Sequence, residues 1–339
     1  MKRGITVAGN IIVDHIKAID VYPQENHLCN ISDVSKSVGG AVCNTGIVLA
    51  ALDKSLGVTA AGRVGGDADG AYAIGRMRDA GMDISRVKVT PGAPTSFTDV
   101  MTAAGTGART FFHARGANAL FDYGDIGFDS LDCDIFHMGY ALLLDKFDAP
   151  DPVCGTVMAR ALREVQNAKI KTSIDVVSEA GSRFARVVTP ALKYCNYAVL
   201  NETESGMVTG IEPRSPDGRI LPENIEKICR AFVALGVSEA VAVHCPEAGF
   251  MMDASGAFTT APSLNLPAGY IKGTAGAGDA FCAGVLYALY KGFASRRALE
   301  TGAACAAASL SACDGTGGAR DFESTMGLVE RYGFREGLF

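Results

Sequence analysis

Tryptophan is missing from this 339-residue chain, and histidine is scarce, with five residues. The ten cysteines, from Cys29 to Cys313, contain no C-x-x-C pair and keep no regular spacing. Scattered thiols that do not cluster with the histidines make a poor zinc site. They read as reduced, mostly buried side chains of a cytoplasmic protein. No stretch reaches the ~18 consecutive apolar residues of a membrane span. The basic start "MKRG" imitates the front of a secretory signal, but Asn10 and Asp14 interrupt the following apolar run too early. Positive charge is also in deficit: the net charge is −6 and the pI near 5.4. That argues against nucleic acid or anionic membrane as the main partner. Internal repeats and low-complexity tracts are absent as well.

What the chain has is glycine, 40 residues of it, and a hydrophobic share of 48%. This suffices for one large α/β domain or two small ones. Short apolar runs such as "GITVAGNIIVD", "SLGVTAAGRVG", "CDIFHMG", "KTSIDVV", "YAVLN" and "EAVAVHC" read as strands, the first leading into a turn. Between them lie helical stretches, "NTGIVLAALD", "GAYAIGRMRDAGM" with Gly81 as its stop, "TVMARALREVQNA" and "ENIEKICRAFVALG". Strands alternating with helices imply a mostly parallel sheet flanked by helices on both faces. "HLCNISDVSKSVGG" and "TSFTDVMTAAGTGARTFFHARGAN" break the rhythm and read as a small antiparallel sheet, a lid formed by about 11–38 and 95–118. In open parallel sheets, ligands bind beyond the carboxyl ends of the strands. Asn10, Asn201 and the 273–279 loop follow strand-like runs and are expected along one edge, under that lid.

The densest chemical signal is "GTAGAGDAFCAG", residues 273–284. Glycines let backbone N–H groups turn inward, and a helix starting at about Asp279 adds its free N–H groups and the positive end of its dipole. That is a pocket for an anion. Asp279 at its rim is either an N-cap or the base that takes a proton from a hydroxyl attacking a phosphate. The loop is neither a P-loop nor a dinucleotide-binding fingerprint, which belongs to a first βα unit. Nothing in the first βα unit therefore points to a nicotinamide enzyme.

Four weaker patterns accompany it. Asp14 in "AGNIIVD" suits paired hydroxyls of a sugar, or is an exposed turn acid. "VGGAVCN" offers Gly39 and Gly40 for close approach to a polyol and Asn44 as donor and acceptor, or a loop entering a helix. "VGGDADG" fails as a calcium loop because Arg78 stands where an EF-hand needs Glu, so it reads as a turn beneath the ligand-side loops. In "NETES", Glu204 can hold Mg²⁺ directly or through waters, while Asn201 and Glu204 also have the spacing of a capping box.

Taken in order, "GNIIVD", "GG…N" at Gly39–Asn44, "VGGDADG", "GAN" at 116–118, "NETE" at 201–204 and "TAGAGD" at 274–279 resemble the ribokinase-like (pfkB) carbohydrate kinase family over nearly the whole length. The resemblance implies one kinase domain over 1–339. It implies ATP-dependent phosphorylation of a sugar or nucleoside hydroxyl with Mg²⁺, and a lid that often serves as a dimer contact. Asp279 then matches the catalytic base, and Gly276, Ala277 and Gly278 match the anion hole. Asn10, Asp14, Gly39, Gly40 and Asn44 match the acceptor side. Asn201 and Glu204 match the motif that organises Mg²⁺ and phosphate, with Glu204 nearest the metal. Thr274 and Gly249 fall on the nucleotide side.

Departures from the family pattern are also legible. Gly273 stands where the family usually has Asp, which puts activation by a monovalent cation in doubt. "HCPEAG" replaces T-x-G-x-x-G, with His244 for Thr and with Pro246, which lacks an N–H, for Gly. Val42 replaces a small residue. The expectation is a sugar kinase acting on a small carbohydrate or related polyol, with a homodimer through the lid. The alternatives are a nucleoside kinase of the same fold, or a ligand sensor that keeps the fold without catalysis. Acceptor choice is expected to rest on lid residues such as His27, Phe97, His113 and Arg115.

Overall fold

The computed structural model of the chain describes residues 3–179, 181 and 183–337. Nine strands form the main sheet in the order Phe258–Pro262, Ala248–Asp253, Ala240–His244, Tyr197–Asn201, Lys171–Val176, Ile135–Ala141, Ile5–Gly9, Val58–Gly65, Asp83–Thr90. From Ala240–His244 onward all neighbours are parallel. The first two strands close the other edge as an antiparallel hairpin. That hairpin departs from the expected βα alternation, since "GFMMD" and "FTTAP" follow a strand with no helix between.

Inner strands are apolar without alternation because helices cover both faces. Ile5–Gly9 is buried at every position. On one face Gly40–Leu52, Ala277–Lys291 and Ser295–Leu310 pack over a core that includes Val7, Leu49 and Leu286. On the other, Val157–Asn167, Phe184–Leu192 and Pro222–Ala234 cover Phe136, Phe147 and Phe232. Eight of the ten cysteines are buried in these layers, and all ten are free thiols.

The small sheet is separate. Ile12–Ile19 pairs antiparallel with Ile31–Gly39, and Phe97–Ala103 with Arg109–Ala114. The two hairpins meet in a parallel pairing of Ile12–Ile19 with Phe97–Ala103, so the expected antiparallel order holds only within each hairpin. "IIVD" therefore opens a lid-like strand rather than a turn. The crossing from one sheet to the other is pinned by buried polar groups. Asn118 of the "GAN" turn accepts from the Ile11 N–H at 3.2 Å, and its own N–H donates to Ser96 at 3.0 Å. Asp67 in "VGGDADG" caps Ala68–Asp79 through Gly70 and accepts from the Thr95 N–H at 2.7 Å. That motif is a structural clasp under the second hairpin.

Among the described residues no helix is long and apolar enough to cross a membrane.

Candidate active site

The helix Ala277–Lys291 begins two residues earlier than expected. Gly276 is its N-cap, in the left-handed region at φ 74°, and no side chain caps it. A Cβ at Gly276 would lie 2.5 Å from Gly315 Cα, so the turn tolerates only glycine. Asp279 falls within the first turn and is not a capping residue. Its neighbours Ala277 and Gly278 present N–H groups that lack intrahelical partners by position. The loop does not follow a strand directly; residues 263–272 lead to it from the last strand of the sheet.

Two cavities meet at this turn. One, about 720 Å³, is lined by Asp279, Asp175, Glu204, Tyr140, His113 and Phe111 among others. The second, about 680 Å³, is lined by Ala277, Thr274, Phe281, Leu264, Ala307 and Pro246 among others. Asn201, Ser178, His244 and Gly278 border both. His244 packs against Phe281 with ring centroids 4.7 Å apart, and a Cβ at Gly278 would lie 3.3 Å from His244 Cε1. The departure from Thr at 244 thus sits at the junction. Burial lowers the His244 pKa to about 4, leaving a neutral ring there at physiological pH.

Both oxygens of the Asp279 carboxylate are engaged. Asn44 Nδ2 donates to Oδ2 at 3.0 Å, and the Tyr140 phenol donates to Oδ1 at 2.7 Å. Burial raises the Asp279 pKa, and these two donors oppose the rise. Asp175 is buried nearby, and burial with repulsion from Asp279 and Glu204 pushes it well above the carboxylate range. Glu204 is raised to about 7, first by burial. Asp14 is raised to about 6, again mainly by burial, with a smaller share from Asp279. Asp14 does not line the cavity, but Asp279, Asp175 and Glu204 do, and that much negative charge disfavours full ionisation unless a cation shares the site. Glu204, as a hard oxygen donor, would suit a divalent ion such as Mg²⁺.

Each expected residue has a definite place. Gly276, Gly278, Asp279, Asn201, Glu204 and Thr274 line one or both cavities, as does Ala277. Asn44 stands behind Asp279 with its Oδ1 buried and unpartnered. Asp14 is half-buried against Gly39, where a Cβ would lie 2.6 Å from its Oδ2. Gly40, at φ 81°, passes close to the Asn10 carbonyl. Asn10 itself is fully buried, accepting from the Tyr140 N–H at 2.6 Å and donating to the Leu143 carbonyl at 3.1 Å. It props Tyr140 from beneath and does not reach the cavity. Nor does Gly249, whose missing side chain admits Phe281; a Cβ would lie 2.9 Å from that ring. Asn201 and Glu204 do form the capping box, at 2.8 and 3.1 Å, and Ser178 adds a bond to Glu204 at 2.7 Å. Capping and ligand-facing placement coexist.

Sequence reading missed Tyr140, Asp175 and Ser178. Each lies at or just beyond the carboxyl end of a parallel strand, which is the one signal that would have pointed to them. Of the lid residues, His113 borders the cavity, bonded to Thr98 at 3.0 Å, with Nε2 buried and unpartnered. Arg115 also borders it but pairs with Asp145 at 3.2 Å. His27 is exposed and bonds only its own turn, at Glu25. Phe97 stacks on His15 at 5.4 Å.

An uncapped helix start, a buried carboxylate in its first turn and a cavity on each side lie at the carboxyl-terminal side of the parallel strands of a ribokinase-like α/β fold. The model of the pfkB family carbohydrate kinases matches residues 3–319, and the chain belongs to that family. Among solved structures, ribokinase from Arabidopsis thaliana, complexed with ribose and ATP, matches with TM-score 0.80 at 20% identity, over 97% of this chain and 99% of that one. Ribokinase from Thermotoga maritima matches with TM-score 0.78 at 18% identity, over 96% and 99%. A nucleoside kinase from Burkholderia thailandensis, in complex with inosine, matches with TM-score 0.72 at 17% identity, over 98% and 99%.

Proposed function

We propose that the chain is an ATP-dependent sugar kinase, one kinase domain over 1–339 whose small sheet, about 11–38 and 95–118, acts as the lid. The observation that carries this reading is the position of Asp279, in the first turn of a helix whose N-terminus has no side-chain cap, where two cavities meet. ATP takes the cavity lined by Leu264, Phe281 and Ala307, with its phosphates directed at the N–H groups of Gly276, Ala277 and Gly278. The acceptor takes the other, held by Asp14 and by the free polar atoms of Asn44 and His113. Buried unpartnered polar atoms carry a desolvation cost that hydroxyl groups of a polyol relieve.

The acceptor O–H gives its proton to the Asp279 carboxylate as its oxygen bonds to the γ-phosphorus. The bond from phosphorus to the β-bridging oxygen breaks, and ADP leaves with that electron pair. Glu204 and Asn201 would hold Mg²⁺, which would supply charge neutralisation at the phosphates. The loop N–H groups are fixed before reaction, so catalysis is positioning plus charge stabilisation.

Phe111, 61% exposed and on the wall of the acceptor cavity, favours a second reading: it offers a face on which a nucleobase can stack. ATP consumption and thermal shift with a panel of sugars, sugar acids and nucleosides test both. An acceptor-dependent turnover identifies the class. Ligand binding with no turnover of ATP on any acceptor marks a sensor instead.

We also propose a homodimer through the lids. Ile31–Lys36 is exposed at every position, so its partly alternating pattern buries no face within the chain. Ile31, Val34, Phe111 and Phe112 are all at least half-exposed on this small sheet, and such edges are normally covered. Light scattering at high concentration with acceptor present is expected to give a dimer mass; a monomer mass removes the idea.

A further inference from the structure

Tyr140 has no part in the scheme above, yet it holds the shortest hydrogen bond to the base, 2.7 Å from its phenol oxygen to Asp279 Oδ1. We propose that Tyr140 is a positioning residue for phosphoryl transfer: its phenol fixes the plane of the Asp279 carboxylate and favours the charged form that accepts the proton. The inference rests on Asp279 as the base.

The geometry is built from the backbone outward. Tyr140 lies in Ile135–Ala141, near its carboxyl end. Its N–H donates to Asn10 Oδ1 at 2.6 Å, and Asn10 is itself locked to the Leu143 carbonyl. This places the phenol on one oxygen of Asp279, while Asn44, from the helix Gly40–Leu52, takes the other. Two donors from two elements fix a carboxylate that one donor would let rotate. Each oxygen keeps a second lone pair for the acceptor hydroxyl.

The carboxylate needs such support. Asp175 on the neighbouring strand, Glu204 on the helix Glu202–Thr209, Asp14 on the small sheet and Cys282 one turn further along its own helix all feel the Asp279 charge. The three carboxylates disfavour a further negative charge, and so does burial. Tyr140 does not itself lose its proton: burial, with repulsion from Asp279 and Asp175, raises its pKa well above the ordinary value of 10.0, so it remains a donor throughout turnover. Asn10 acquires its purpose here as well, as the group that seats Tyr140.

The test needs no acceptor. Protein labelled with [γ-13C]aspartate is titrated without ligand, and the Asp279 resonance is assigned by its loss in Asp279→Asn. In Tyr140→Phe the Asp279 midpoint is expected to rise by about one to two pH units, the worth of one hydrogen bond to a charged group. Protein grown with 3-fluorotyrosine, whose phenol is a stronger donor, moves the midpoint downward. The melting temperatures report whether both proteins stay folded. A midpoint unchanged in both samples overturns the proposal. Turnover separates this from the reading beneath it. An active Asp279→Asn refutes the base, whereas an inactive Asp279→Asn with an unmoved Tyr140→Phe titration refutes Tyr140 alone.

Discussion

The two cavities that meet at Gly278 are built from different materials. One is lined by Asp175, Glu204 and Asp279, each with its pKa raised, and takes residues from both sheets. The other has an apolar wall of Leu264, Leu266, Phe281 and the alanines of Ser295–Leu310, facing polar residues such as Glu202, Thr203, Asn265 and Arg335. Close carboxylates are costly to hold together, so their placement must be specified by hydrogen bonds, one donor at a time. An apolar wall needs only complementary volume, which many side chains supply. The first cavity is therefore sensitive to single atoms and the second to bulk.

The sharpest break of that contrast is Asp279→Asn. Asn is nearly isosteric, and since Gly276 rather than Asp279 occupies the N-cap, the fold should be retained. Turnover is expected to fall by roughly 10²–10⁴, the usual worth of general-base catalysis, with ATP still bound. Steady-state rates beside melting temperatures check this, and turnover within a few-fold of wild type sinks the mechanism.

On the apolar wall of the second cavity the corresponding change must be large in volume. Ala306→Phe places a ring in that space from the helix Ser295–Leu310. The KM for ATP is expected to rise about tenfold, equivalent to ~1.4 kcal/mol, while the KM for the acceptor stays the same. A rise confined to the acceptor would reverse the assignment of the two cavities.

A smaller effect is expected from pH. Glu204 titrates near 7 in the folded chain against an ordinary 4.5. The native protein therefore binds an extra proton between these values, and this group's contribution to stability falls as pH rises through that window. Glu204→Gln should flatten the fall of melting temperature between about pH 4.5 and 7 by a few degrees. An unchanged slope would show that Glu204 is already paired with charge.

The smallest effect concerns monovalent cations. Gly273 supplies no carboxylate, and a Cβ there would lie 2.9 Å from the carbonyl oxygens of both Ala312 and Cys313. Rates in potassium and in a bulky organic cation at equal ionic strength should agree. A large potassium stimulation would show that other groups build a site.

Much of this protein was legible in its sequence. The apolar runs identified the inner strands, because a strand buried on both faces must be apolar at nearly every position. "TAGAGD" marked the helix start, because only glycine fits the left-handed turn at 276. "NETE" carried its capping box openly, since the spacing is local. What escaped was decided between distant segments. Nothing in "MGYALL" says that Tyr140 meets Asp279, 139 residues away, because that contact depends on which strands become neighbours. Asp175 looked like any acid in a strand until burial beside Asp279 and Glu204 changed its acidity. Asn10 and Gly249 looked ligand-facing and became packing positions. Local rules of turn, cap and strand read directly from short stretches of chain; the electrostatics of a site depend on distances that only the packed tertiary structure decides.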